Sequence, residues 1–107
     1  MTSDEILERL KVPKAHLAEF CRKWQVAELS FFGSVTGEDF GPDSDVDVLI
    51  SPASGARWSL FEHVEMTDEL KTLFGRPVDL LTLRSVEASR NWMRRESILQ
   101  SAVSCRV

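Results

Sequence analysis

Two aspartates separated by one residue, Asp45 and Asp47, lie inside the alternating segment 45–51. Residues two apart on a strand point to the same side, so both carboxylates are expected on one face while Val46 and Val48 face the core. Neighbouring carboxylates repel each other unless a cation lies between them, and Mg²⁺ prefers oxygen ligands. The spacing therefore predicts a magnesium site.

A third aspartate, Asp79, lies in a second strand-like segment, 77–83. A carboxylate in an apolar strand is costly to bury unless it is paired or bound to a metal. If this strand lies beside the first, Asp79 joins Asp45 and Asp47 in holding two metal ions, one for an acceptor hydroxyl and one for a triphosphate. Asp79 is then the candidate general base. The simpler alternative for all three aspartates is a solvated strand surface.

Gly33 and Ser34 follow a predicted strand over 27–32 and precede the aspartate pair by ten residues. A glycine after a strand lets the backbone approach a phosphate without a Cβ clash, and the next residue offers an N–H and a hydroxyl. These two residues are the candidate nucleotide-binding residues.

Local sequence signals predict the elements that position these side chains. A capping-box pattern starts a first helix ending near Leu10, a second helix carries Cys21 on its apolar stripe, and a third spans 60–74 before Gly75. The tail from about Val86, with Trp92, Leu99 and Val103 on one side, predicts a final helix packed on the sheet. The fold class is α/β (α+β), a small mixed sheet flanked by helices, in one domain over 1–107.

The Gly-Ser pair, the ten-residue spacing, the Asp-x-Asp pattern and the later Val78-Asp79-Leu80 run together resemble the minimal nucleotidyltransferases of the DNA polymerase beta superfamily. The resemblance covers roughly residues 29–83. Small stand-alone members of that family are typically antitoxins paired with helical HEPN-type ribonuclease toxins. The resemblance implies a nucleotidyltransferase fold, two Mg²⁺ ions, and transfer of AMP from ATP to a tyrosine hydroxyl of the cognate toxin.

One position departs from the family pattern. Many relatives read Gly-Ser-x-Ala-Arg-Gly, whereas this chain has Gly37 at the arginine position, followed by Glu38. Arg76 and Arg57 are conceivable substitutes, although each is also typical of a solvated surface arginine. The departure keeps two alternatives open: an antitoxin that neutralises its partner by direct binding without catalysis, and a nucleotide-binding module without transfer activity.

Composition limits the partners. The formal net charge of −4 disfavours an extended nucleic-acid surface, because such binding depends mainly on Lys and Arg. No apolar run approaches the roughly 20 residues that cross a bilayer, so no membrane association is expected. Two widely spaced cysteines without a leader segment favour the cytoplasm.

Overall fold

The computed structural model describes residues 1–105, which form five α-helices and four strands. In chain order these are α1 Ser3–Leu10, α2 Lys14–Trp24, β1 Val26–Phe32, β2 Val46–Pro52, α3 Leu60–Phe74, β3 Val78–Thr82, α4 Leu83–Glu87, α5 Trp92–Ser101 and β4 Val103–Cys105. Residues 106 and 107, which the predicted domain and final helix include, lie outside the described residues.

The predicted helix ends are confirmed where a cap specifies them. Helix α3 begins after Ser59, whose hydroxyl accepts from the Glu62 N–H while the Glu62 carboxylate accepts from the Ser59 N–H. It ends at Gly75, whose φ of 66° is the left-handed conformation that glycine adopts without steric cost. The same reciprocal capping box starts α1.

Helix α2 buries Leu17, Phe20 and Cys21, as its apolar spacing predicts. Removal from water raises the pKa of the Cys21 thiol to about 11. Since the thiolate is the reactive form, Cys21 behaves as a small buried hydrophobe, in agreement with its place on the stripe.

The four strands form one sheet in the order β3-β2-β1-β4. Strand β1 pairs antiparallel with both β2 and β4, while β2 pairs parallel with β3. Helix α3 connects β2 to β3 and supplies the crossover that a parallel pair needs. The predicted α+β class with a small mixed sheet is confirmed.

The sheet separates two unequal layers of buried side chains. Helices α1, α2 and α3 pack on the face that carries Phe31 and Val48, and this layer is the main core. Helices α4 and α5 cover the opposite face, where Phe32, Leu49 and Ile98 are the centre of a smaller cluster. Phe32 is therefore buried, and the central strands are apolar on both faces over part of their length.

The tail differs from the single predicted helix. It forms the short α4, then α5, then the edge strand β4, whose Val103 pairs with Phe31. Within α5 the buried residue is Ile98, whereas Trp92 and Leu99 are 61% and 43% exposed. The predicted contact of Trp92 and Leu99 with the sheet is therefore wrong, because α5 rests on its other side.

Candidate active site

Strand register brings two of the predicted aspartates together. Asp47 on β2 lies directly opposite Asp79 on the parallel strand β3. Both belong to the sheet face of the smaller cluster, because Val46 and Val48 on either side of Asp47 point into the main core. Asp45 lies two residues before Asp47 and immediately before β2. Asp47 and Asp79 thus lie at one end of that face, where the two strands begin, and Asp45 lies next to that end along the chain.

The Gly33–Thr36 turn, a single 3₁₀ turn, brings the Gly-Ser pair to the same place. It follows β1 at Phe32, which is the register partner of Asp47. Gly33 has a φ of 72°, and a Cβ added there would overlap the Asp47 carboxylate and lie 3.2 Å from its Cγ. Glycine is therefore required at position 33 for two reasons, the left-handed backbone and the closeness of Asp47.

Internal hydrogen bonds hold this turn in shape. The Thr36 hydroxyl donates to the Gly33 carbonyl at 2.7 Å, and the Gly37 N–H donates to the Ser34 carbonyl at 3.0 Å. The Ser34 side chain is partly exposed, and its hydroxyl has no hydrogen-bond partner among residues 1–105. A hydroxyl that is free to bond, on the residue after the glycine that contacts Asp47, suits a phosphate oxygen.

The electrostatics of the site favour a cation. Partial burial raises the pKa of Asp47, the negative charges of Asp79 and Asp45 raise it further, and the positive charge of Arg94 lowers it. The ionised form of Asp47 is therefore destabilised by its surroundings. A bound cation would relieve both the desolvation and the repulsion.

The carboxylates do not enclose an ion by themselves. Within the described part of the chain, no three His, Cys, Asp or Glu side chains are gathered as a metal cage. Asp79 and Asp45 are exposed, and Asp47 is half-buried. Mg²⁺ is commonly held by one or two carboxylates together with water and substrate phosphates, so an open set of this kind fits that ion.

A stacked cluster holds the loop between the turn and β2. The guanidinium of Arg76 lies 4.2 Å from the centre of the Phe40 ring, and that of Arg9 lies 5.7 Å from it. Arg76 donates to the carbonyls of Gly41 and Ser44 at 2.6 and 3.3 Å. Arg76 is thus not the solvated arginine that its sequence context suggests, because it fixes the backbone that leads to Asp45.

Arg9 anchors the other end of the same loop. Its guanidinium donates to the carbonyl of Val35 at 3.2 Å and to the carbonyl of Gly37. Because these acceptors lie 26 and 28 residues along the chain, local patterns in the sequence give no sign of them. Arg57, the other conceivable substitute, is exposed.

Sequence reasoning also missed Arg94. The sequence places it in a basic cluster with Arg90 and Arg95, which is the pattern of an exposed helix face. Arg94 is indeed exposed, but α5 packs against the Gly33–Thr36 turn and its charge acts on Asp47. Its position is set by tertiary structure, so no local pattern could have identified it.

Similar proteins share this architecture. The protein adenylyltransferase MntA of Thermococcus cleftensis is 32% identical over 74 residues, which cover 69% of this chain and 73% of that protein. A solved toxin–antitoxin complex with AMP-PNP contains a similar chain, with a TM-score of 0.67 and 15% identity over 87% of this chain and 72% of the other.

A further solved complex joins the tri-AMPylated HEPN toxin of Shewanella oneidensis to an MNT antitoxin. Its similar chain has a TM-score of 0.59 and 14% identity, with coverage of 85% of this chain and 66% of that one. Residues 13–105 match the family described as nucleotidyltransferase domain. The resemblance seen in the sequence is therefore confirmed, and this chain belongs to the nucleotidyltransferase domain family.

Proposed function

We propose that this domain is a magnesium-dependent adenylyltransferase that transfers AMP from ATP to a tyrosine hydroxyl of a HEPN-type toxin, and that it works in the cytoplasm. Support comes from the relative named as a protein adenylyltransferase and from similar chains in toxin–antitoxin complexes, one with AMP-PNP and one with an AMPylated toxin. The observation that carries the proposal is the closeness of the Asp47 carboxylate to Gly33, because it supports a site in which the candidate phosphate-binding turn lies beside a candidate metal ligand.

The site divides into two groups of side chains. Ser34 and the backbone N–H groups of its turn bind phosphate oxygens, for which glycine at position 33 leaves room. Asp45, Asp47 and Asp79 would hold the magnesium ions. When bound, these ions would neutralise phosphate charge and favour ionisation of the acceptor hydroxyl.

In this proposal Asp79 accepts the proton from a large acceptor. It is exposed and belongs to β3, one of the two edge strands of the sheet, so a hydroxyl on a protein surface can reach it. The hydroxyl oxygen forms a bond to the α-phosphorus of ATP, the bond from that phosphorus to the bridging oxygen breaks, and pyrophosphate leaves. Asp79 takes the hydroxyl proton, in the role of general base.

The test is labelling of the cognate toxin with ATP radiolabelled at the α-phosphate in the presence of Mg²⁺. We expect Asp47→Asn to lower the rate by about 100- to 1,000-fold, because metal coordination contributes several kcal/mol and each 1.36 kcal/mol is tenfold. The control is Asp39→Asn in the exposed loop, which should keep the wild-type rate. A wild-type protein that binds its toxin but leaves it unlabelled would exclude the transferase function.

One observation favours a second candidate, neutralisation by direct binding without catalysis. Leu60 and Phe61 at the start of α3 are 81% and 73% exposed, and Met93 on α5 is 66% exposed. Exposed apolar side chains of this size suit contact with another protein. In that case Asp47→Asn would protect cells from the toxin as well as the wild-type chain does.

A further inference from the structure

The first turn of α5 borders the active site. The helix begins after Asn91, whose side chain accepts from the Arg94 N–H at 3.1 Å, so Arg94 is the third residue of the helix. Helix α5 packs against the Gly33–Thr36 turn. Arg94 lines a cavity together with Leu81 of β3. Leu81 packs on the smaller cluster and lies two residues after Asp79 on the same face of that strand, so Arg94 lies over the sheet face that carries Asp47 and Asp79.

The neighbouring arginines are already engaged with the backbone. Arg76 and Arg9 donate to carbonyls of the loop between β1 and β2. Arg95, the next residue on α5, donates to the carbonyls of Ser89 and Glu87 at 3.3 and 3.4 Å. Their donors maintain the shape of the site, which leaves fewer of them for a ligand.

Arg94 differs from these three. Among residues 1–105 its guanidinium forms no ion pair and no side-chain hydrogen bond, although three carboxylates lie at the adjacent site. An exposed guanidinium close to an acidic site, but not paired with it, is available to an anion bound between the two. Guanidinium groups bind phosphate through two parallel hydrogen bonds, which a lysine cannot reproduce.

We propose that Arg94 binds the triphosphate of the nucleotide and supplies from α5 the positive charge that this chain lacks at Gly37. The role rests on the proposed function and adds a phosphate-binding residue from outside the Gly-Ser and Asp-x-Asp segments. It also explains how a site with three carboxylates and no cation at position 37 can hold a polyanion.

Binding of Mg²⁺-ATP and of adenosine should be measured by calorimetry on the whole chain. We expect Arg94→Ala to weaken ATP binding by about 10- to 100-fold, as loss of a charge-assisted hydrogen bond does, and to leave adenosine binding unchanged. Arg94→Lys should recover only part of the ATP affinity. The matched control is Arg90→Ala, an exposed arginine in the loop before α5, which should bind ATP like the wild type.

The outcomes separate this inference from the function on which it rests. A wild-type chain that does not bind ATP contradicts the proposed function itself. A wild-type chain that binds ATP, together with Arg94→Ala that binds equally well, overturns the role of Arg94 alone. Equal losses in Arg94→Ala and Arg90→Ala would also overturn it, because they would reflect net charge and not a specific contact.

A second variant tests whether the missing charge is the cause. Gly37 has an extended φ of −125°, and a Cβ there would meet its nearest neighbour, the Ser34 carbonyl oxygen, at 3.9 Å. Gly37→Arg is therefore sterically compatible, and in the Arg94→Ala background it should restore ATP affinity by at least about tenfold. A double variant as weak as Arg94→Ala would place the effect in the packing of α5 and overturn the assignment.

Discussion

The sheet face beneath α1, α2 and α3 is apolar along its whole length, whereas the face beneath α4 and α5 changes character along its strands. On the first face Phe31, Val48 and Ile50 are all fully buried. On the second face Leu49 is buried, but Asp47, two residues earlier on the same face of β2, is half-exposed beside Asp79. One face therefore provides most of the hydrophobic stabilisation, and the other has an open end that can accommodate charged ligands.

The difference shows why adjacent residues of one strand can have unrelated roles. Alternation sends Val48 into the main core and Asp47 to the other face. A slip of one residue in the pairing of β2 would bury the carboxylate in the main core, at a cost of several kcal/mol. The deep core thus fixes the register, and the register places the carboxylates.

An isoleucine-to-alanine substitution in each layer measures how much the two faces of the sheet contribute to stability. Ile6 of α1 is 0% exposed in the main core, and Ile98 of α5 is 7% exposed in the smaller cluster. We expect Ile6→Ala to lower the free energy of unfolding by about 3–5 kcal/mol and Ile98→Ala by about 2–3 kcal/mol, because the smaller cluster relaxes more easily around a cavity. Urea unfolding checks both values. Equal losses would show that the two layers contribute alike per side chain.

The Gly33–Thr36 turn links the two faces, and Gly33→Ala tests its close contact with Asp47. We expect a loss of about 2–4 kcal/mol, from the left-handed backbone together with the overlap of the new Cβ with the carboxylate. Gly55→Ala is the matched control, since Gly55 has a φ of 84° but no atom within 4 Å of an added Cβ. It should cost about 1 kcal/mol. Similar losses in the two variants in urea unfolding would mean that Asp47 moves away freely.

A polar contact on the main face should contribute less to stability than the buried isoleucines or Gly33. Glu69 of α3 accepts from the Trp24 indole N–H at 2.6 Å and pairs with Lys23 at 3.3 Å. We expect Glu69→Ala to cost about 1–2 kcal/mol, because the half-buried indole loses its partner. Glu69→Gln keeps an acceptor and should cost less. Thermal unfolding that leaves Glu69→Ala unchanged would show that water replaces this bond.

Much of this arrangement could be predicted from the sequence because its signals are local. The bounds of α3 follow from the capping box at Ser59 and from Gly75. The strand positions of Asp47 and Asp79 follow from alternation and flanking apolar residues. Strand register brings Asp47 opposite Asp79, and Gly33 lies against the Asp47 carboxylate. The catalytic and metal-binding roles of these aspartates stay a prediction that the labelling experiment tests.

Prediction from the sequence fails where a residue's role depends on a contact distant in the chain or where an element is short. A helix of five residues and a strand of three, α4 and β4, are too short to show a period, so the tail reads as one helix. Arg76 has its role because of carbonyl partners more than 30 residues away, which a local pattern does not contain.

The smallest expected effect concerns the charge of Asp47 itself. Its pKa is raised in the folded protein, so the folded state holds this proton more tightly than the unfolded chain does. The stability contributed by this group is therefore present at low pH and lost as the pH rises through the folded pKa. Asp47→Asn has no carboxyl to ionise, so the variant does not lose this stability as the pH rises. At pH 7 in EDTA we expect the variant to melt a few degrees above the wild type, an effect of at most about 1 kcal/mol.

The pH dependence and the response to metal show whether the variant is more stable because the Asp47 charge is gone or for an unrelated reason. The advantage of Asp47→Asn should shrink as the pH falls toward 3.8, the unperturbed value for aspartate, because the wild-type carboxyl then becomes neutral too. Adding Mg²⁺ and ATP at pH 7 should raise the melting temperature of the wild type but not of the variant. Asp39→Asn serves as the control and should follow the wild type in both series. A variant that keeps its advantage at low pH would show that the Asp47 charge does not destabilise the metal-free protein. A variant that gains as much as the wild type from Mg²⁺ and ATP would show that Asp47 does not bind the ion.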